Sequence, residues 1–183
     1  MTLDLAQRQT LPAEFRLILG DYPRATWPDH RDFNGLAAFW LDRHLGFRQT
    51  MTALNTEAEA MLDRSLDPTQ WKRRLSQRGS ALLGDLIGHH QIEDQTYFPA
   101  LTQLEPRLSR GFDMLDADHH ALHALIDRFA TGVNAALSAE GPALHVAAAA
   151  FHKDLQQFET LLARHLTDEE DLVLPVVLKH CVG

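Results

Sequence analysis

One spacing, a histidine followed four residues later by a glutamate, occurs twice and constrains this sequence more than any other feature. The copies are His89 to Glu93 and His165 to Glu169, and a proline follows each glutamate by six residues. Residues four apart lie one above the other on a helix, so each histidine and its glutamate point to the same side. A carboxylate buried there without a partner would cost several kcal/mol. The repeat therefore predicts a bound cation.

Each pair ends an apolar line of three- and four-residue steps, the pattern of a helix that faces a bundle core. The line before His165 is Leu144, Ala148, Phe151, Leu155, Phe158 and Leu162. The line before His89 is Leu75, Gly79, Leu82 and Leu86. Two more lines contain a histidine where an apolar residue is expected, His44 after Trp40 and His119 after Leu115. Four helices are predicted, and each has histidine on its buried face.

The boundaries of these helices follow from proline and capping signals. The first should run from about Asp32 to Leu62, and the second should begin at Asp67-Pro68 and end at Pro99. The third follows Pro106, and the fourth runs from Pro142 to Pro175. No stretch alternates like a strand. The fold class is therefore predicted as all-α, an antiparallel up-down four-helix bundle over residues 31–180.

Residues 1–30 contain three prolines and are predicted as a short helical arm packed on the bundle. A short helix is expected from Ala13 to Leu19, ended by Gly20. Trp27 is expected to anchor the arm.

Bulk properties exclude several classes of function. The 183 residues suit one domain, and the net charge of −8 argues against binding to nucleic acid or an anionic membrane. The single cysteine, Cys181, excludes thiolate metal sites within one chain. No apolar leader or membrane span is present, so we expect a cytoplasmic protein.

The histidines and carboxylates on the four buried faces form one candidate metal set: His44, His89, Glu93, His119, His123, His165 and Glu169. Imidazole with carboxylate and no thiolate suits iron, manganese or zinc. Two metals offer about twelve coordination positions. Five imidazoles and two bridging carboxylates fill nine, and an oxo or hydroxo bridge fills two more. The remaining position is open to a small molecule.

These motifs resemble the hemerythrin-like family, often called HHE cation-binding domains, over about residues 30 to 180. The shared features are the paired HxxxE motifs, Asp118-His119 on the third helix and His44 followed by Arg48 on the first. The resemblance implies two non-haem iron ions, oxo- or hydroxo-bridged, with Glu93 and Glu169 as bridges. It also implies His119, His123 and His165 on one iron, and His44 and His89 on the other. Oxygen-carrying hemerythrins place the last bridging acid five residues after its histidine, which makes Glu170 a competitor of Glu169.

The resulting hypothesis is a di-iron protein that binds or senses O2, NO or peroxide at one open iron position. The alternative is an enzyme that consumes peroxide or nitric oxide at the same centre. A bundle without metal is a third possibility. Neighbouring His90 and His120 lie off the counted faces, so they are predicted to be solvated or to support the ligands.

Overall fold

All regular structure in the chain is helical in the computed structural model, which describes residues 2–182. The five α-helices are α1 (Leu36–Leu62), α2 (Pro68–Ile92), α3 (Phe98–Leu104), α4 (Ser109–Ser138) and α5 (Gly141–His180). Residues 2–182 contain no strand, and none of the helices they form is long and apolar enough to cross a membrane. The prediction of an all-α fold is confirmed, and four long helices are consistent with a helical bundle.

Local signals explain where α1 and α2 begin. The side chain of Asp67 accepts hydrogen bonds from the backbone N–H groups of Thr69 and Gln70, at 3.0 Å each, so the predicted N-cap is confirmed. Helix α1 begins at Leu36, four residues later than predicted from the apolar pattern. Gly35 has a φ of +125°, which no residue of an α-helix adopts, so the helix cannot extend back to Asp32.

A π-helical turn, Glu93–Tyr97, separates α2 from α3. The Phe98 N–H bonds to the Glu93 carbonyl five residues back, so the turn holds one residue more than an α-turn. The prediction that Pro99 ends the helix is wrong, because helical structure continues through α3 to Leu104. Pro99 is the second residue of α3, just past the wide turn, where a missing N–H is tolerated.

The prediction that Pro175 ends the last helix is also wrong, because α5 continues past it to His180. Every residue from Leu172 to Leu178 is buried. A helix that is apolar all round is stabilised by what surrounds it rather than by propensity. Burial here outweighs the roughly 3 kcal/mol that an internal proline costs.

The chain divides into two compact units. The first comprises residues 2–45, His90–Ala121 and 163–182, and therefore holds the arm, α3 and one end each of α1, α4 and α5. Its core joins arm residues to the apolar end of α5 and to aromatic and aliphatic side chains of α3 and α4. Gly111 on α4 allows this packing, because a Cβ there would lie 3.0 Å from the Leu172 side chain.

The arm within this unit is anchored as predicted, but its secondary structure differs from the prediction. Trp27 is 3% exposed, and its indole N–H donates to the Tyr22 carbonyl at 2.7 Å, so its anchoring role is confirmed. The expected helix from Ala13 to Leu19 is wrong, since only the 3₁₀ turn Ala13–Phe15 forms there. A second 3₁₀ segment, Arg24–Asp29, contains Trp27. A helix of seven residues is too short to be stable by propensity alone, and the burial of Phe15 and Ile18 determines the backbone here instead.

The second unit comprises Gly46–His89 and Leu122–Leu162. Its core follows the three- and four-residue steps counted in the sequence, with Leu75, Leu82 and Leu86 buried on α2. Phe151 lies at its centre, with ring centroids 5.6 Å from Phe129 and 6.3 Å from Trp71. Such tilted and edge-on pairs are the geometry that aromatic rings prefer.

Candidate metal centre

Three buried histidines of the first unit, His90, His119 and His165, form one group that can hold a metal. They offer ligand atoms that all lie within 4.8 Å of one another. The Nε2 atoms of His119 and His165 are 3.1 Å apart. The His90 ring stacks on His119 with centroids 4.0 Å apart, and Phe98 stacks on the same ring at 5.5 Å. Packing thus fixes the His119 plane from two directions.

A second group in the same unit combines His44 with the two glutamates of the repeated motif, Glu93 and Glu169. Ligand atoms of these three residues also lie within 4.8 Å of one another, and none of the three is measurably exposed. Glu169 lies between the two groups: Oε1 is 3.5 Å from His44 Nε2, and Oε2 is 3.3 Å from His165 Nε2. Glu93 Oε2 is 3.6 Å from His119 Nε2. Both carboxylates therefore face histidine nitrogens.

Three further carboxylates each contact one of these histidines through the opposite ring nitrogen. The Nδ1 atom of His119 lies 2.7 Å from Asp94, and that of His165 lies 3.4 Å from Asp118. The Nδ1 atom of His44 lies 3.0 Å from Glu170. Histidine ligands of metals commonly make this contact, which fixes the tautomer and turns Nε2 toward the metal. Glu170 thus contacts His44 through Nδ1, whereas Glu169 faces the Nε2 atoms of His44 and His165.

Tryptophan supplies one more contact to this cluster. The Trp40 indole N–H donates a hydrogen bond to Glu169 Oε1. Tyr97 packs edge-on against Trp40 with centroids 5.0 Å apart.

His89 ends the first segment of the second unit, and the centroid of its ring lies 5.2 Å from that of Phe47. It is 9% exposed and belongs to α2, which continues into His90 and the π-turn. It therefore lies four residues, about one turn, before Glu93, as the sequence indicated.

The structure places His90, and not His123, beside His119 and His165. His123 belongs to the second unit and is exposed. The expectation that His90 is solvated is wrong, because the residue is 1% exposed and offers a ligand atom to the group. His120 is exposed, as expected. The missed signal was the four-residue step from Leu86 to His90, which continues the apolar line as well as the three-residue step to His89 does.

Burial and mutual charge set the protonation of the metal-free cluster. Burial and the charge of Glu169 raise the pKa of Glu93 well above its usual range. Burial also opposes ionisation of Glu169, but His44 and His165 outweigh it and hold the pKa of Glu169 well below normal.

The pKa values of the histidines are also shifted in opposite directions. Burial disfavours the charged form of His165, yet hydrogen bonds to Asp118 and Glu169 raise its pKa to about 9. Burial of His44 is likewise outweighed by Glu169 and Glu170, which raise its pKa. Burial prevails at His119 and lowers the pKa of that ring.

These observations fit a bound cation. Two carboxylates buried within one cluster repel each other, and without a metal one of them must hold a proton or accept an unfavourable charge. A divalent ion removes that repulsion and displaces the protons. The donors are imidazole and carboxylate only, because Cys181 is exposed near the end of the chain. The donor set suits iron, manganese or zinc.

Comparison with known proteins agrees with this chemistry. A model of the hemerythrin HHE cation-binding domain matches residues 35–177, most of the chain. Searches of curated proteins and of solved structures gave no significant match. The match includes every residue of the two histidine groups and both HxxxE motifs. The chain therefore belongs to the hemerythrin HHE cation-binding domain family.

Proposed function

We propose that the protein carries a non-haem di-iron centre that binds or senses a small ligand, O2, NO or peroxide. The observation that carries the proposal is the placement of Glu169, whose two oxygens face His44 on one side and His165 on the other. A carboxylate with histidine nitrogens on both sides suits a bridge between two metal positions.

We assign the ligands from the two groups. One ion would be held by His90, His119 and His165 and the other by His44, with Glu93 and Glu169 shared between them. His89 as a further ligand stays a prediction from the sequence. Each of the long helices α1, α2, α4 and α5 then contributes histidine, as expected if these helices form an antiparallel up-down four-helix bundle.

Bound iron would supply an open coordination position for the small ligand. The protein's own groups prepare that position. Asp94, Asp118 and Glu170 hold three imidazoles by Nδ1, so that Nε2 is presented to the metal. The Trp40 N–H fixes one oxygen of Glu169. Burial of the ligands keeps bulk water from competing.

The proposal is tested by iron content per chain after anaerobic loading of untagged protein with Fe(II). We expect about two ions per chain. His90→Ala should lose at least one ion, whereas His123→Ala should retain both, because His123 is exposed. The reverse result would favour His123 as the ligand. No bound iron in the wild-type protein after anaerobic loading would overturn the proposal.

Binding and turnover are separated by adding O2, NO or peroxide to the reduced protein. A lasting change in the visible spectrum with one equivalent of ligand supports a binder or sensor. Continuous consumption of peroxide or NO would show that the protein is an enzyme instead.

A further inference from the structure

Two arginines of the arm contact the carboxylates that support the candidate ligands. The family match begins at residue 35, so the arm, and both arginines, lie outside it. Apolar anchors such as Phe15 and Trp27 already attach the arm to the first unit. The arginines therefore call for a reason other than attachment.

Arg8 is the more buried of the two, with a side chain that is 0% exposed. Its Nη2 and Nη1 donate to the two oxygens of Asp118 at 2.5 and 3.2 Å, and its Nε donates to Asp168 at 2.7 Å. The Asp118 oxygen that accepts from Nη2 also faces Nδ1 of His165 at 3.4 Å. Arg8 thus fixes the carboxylate that orients a histidine of the first group.

Arg24 makes the equivalent connection to the second group. Its Nη1 donates to Glu170 Oε2 at 2.7 Å, and its Nε donates to Asp171 at 2.6 Å. The other oxygen of Glu170 lies 3.0 Å from Nδ1 of His44. The guanidinium also lies over the Trp27 ring, 5.0 Å from its centroid, which holds it in place.

We propose that Arg8 and Arg24 are positioning residues of the metal centre, each acting on a different metal position through one carboxylate and one histidine. Arg8 acts through Asp118 on His165, and Arg24 acts through Glu170 on His44. A planar guanidinium that bonds two acceptors fixes their direction as well as their charge. The inference rests on the proposed two-metal function, because it assigns a support to each position.

The test is release of zinc, a diamagnetic probe ion, from full-length loaded protein into excess chelator. Arg24→Gln and Arg8→Lys should each speed the release of one of the two ions about tenfold, the lower end of what loss of a supporting contact usually costs. Lysine keeps the charge of Arg8 but not its two-pronged contact with Asp118, which makes misfolding less of a concern. Thermal unfolding of each variant is recorded beside the release.

Matched controls remove the other ion pair of the same arginine. Asp171→Asn removes an ion pair of Arg24, and Asp168→Asn removes an ion pair of Arg8. Within residues 2–182, neither carboxylate is paired with a histidine. Faster release in the arginine variants alone supports the proposal. Equal release in all variants, or equally faster release in variants and controls, overturns it, because the arm would then act on stability only.

A second readout does not require metal. Nitrogen-15 spectra of the imidazole rings in metal-free protein should show a change at His44 in Arg24→Gln and at His165 in Arg8→Lys, with no change in the controls. Unchanged rings in the arginine variants overturn the inference. Failure of the wild-type chain to take up zinc or iron would instead count against the proposed function, and the ring spectra would still decide the role of the arginines.

Discussion

Glu93 and Glu169 occupy equivalent places in the repeated motif, yet their replacement by glutamine should change the stability of the metal-free protein in opposite directions. Glu93 has a raised pKa, so the folded state without metal holds it as a neutral acid or as an unfavourable charge. Glutamine resembles the neutral acid and can still donate a hydrogen bond to Glu169. Glu93→Gln should therefore stabilise the metal-free protein at pH 7.

The size of this effect has an upper limit. When the pKa of a carboxyl group is raised in the folded state, the protein loses stability as pH rises from the ordinary pKa, 4.5, toward the folded-state pKa. Each pH unit in that window is worth about 1.4 kcal/mol, so the loss at pH 7 cannot exceed roughly 3.4 kcal/mol. Since glutamine is itself buried, we expect a gain of about 1–2 kcal/mol.

Glu169→Gln should instead destabilise the metal-free protein by about 2–4 kcal/mol, because it leaves the His165 cation and the neighbouring His44 without the anion that they share. The assay is urea unfolding of both variants at pH 7 and pH 5, after metal removal. The gain from Glu93→Gln should shrink at pH 5, where the wild-type carboxyl binds its proton more readily. A change of the same sign in both variants at pH 7 would refute this assignment of charge. Both variants should bind less iron.

Three further predictions concern other parts of the chain. Glu105→Gln should cost about 1–2 kcal/mol at pH 7, discounted for the partly exposed Lys179. Because the Lys179 contact holds the pKa of Glu105 at about 2, this difference should fade as pH falls from about 4.5 to 2 in acid unfolding curves. Trp40→Phe should destabilise the metal-free protein by roughly 2 kcal/mol through loss of its bond to Glu169, measured by urea unfolding. Phe151→Ala should cost about 3–5 kcal/mol in the same assay yet leave the iron content of folded protein unchanged.

The helices were predictable because their signals are local. The buried faces repeat at three and four residues. Asp67 and Pro68 indicate the start of α2, because the Asp67 side chain caps the first N–H groups of the helix. The predicted stop at Pro175 failed for a non-local reason. Pro175 lies in a segment surrounded by the core of the first unit, and this burial could not be predicted from the sequence near Pro175.

The candidate site was predictable to the extent that it follows helical spacing. His44, His119, His165, Glu93 and Glu169 lie in the two groups because each continues an apolar line. His90 was missed because steps of three and of four both continue an apolar line, and the count followed the three-residue step from Leu86 to His89. The supporting arginines were missed for another reason: Arg8 and Asp118 are 110 residues apart, and no spacing rule connects them.

At the π-turn, deletion of a residue should disturb the structure more than replacement of a residue. Gln95 is exposed, and its replacement should matter little. Its deletion would let the segment return to a regular α-helix and rotate everything beyond it by about 100°. Phe98 would then leave the face of His119 on which it stacks. A single missing residue would thus misalign the metal ligands with the core beneath the arm, although every ligand would still be present.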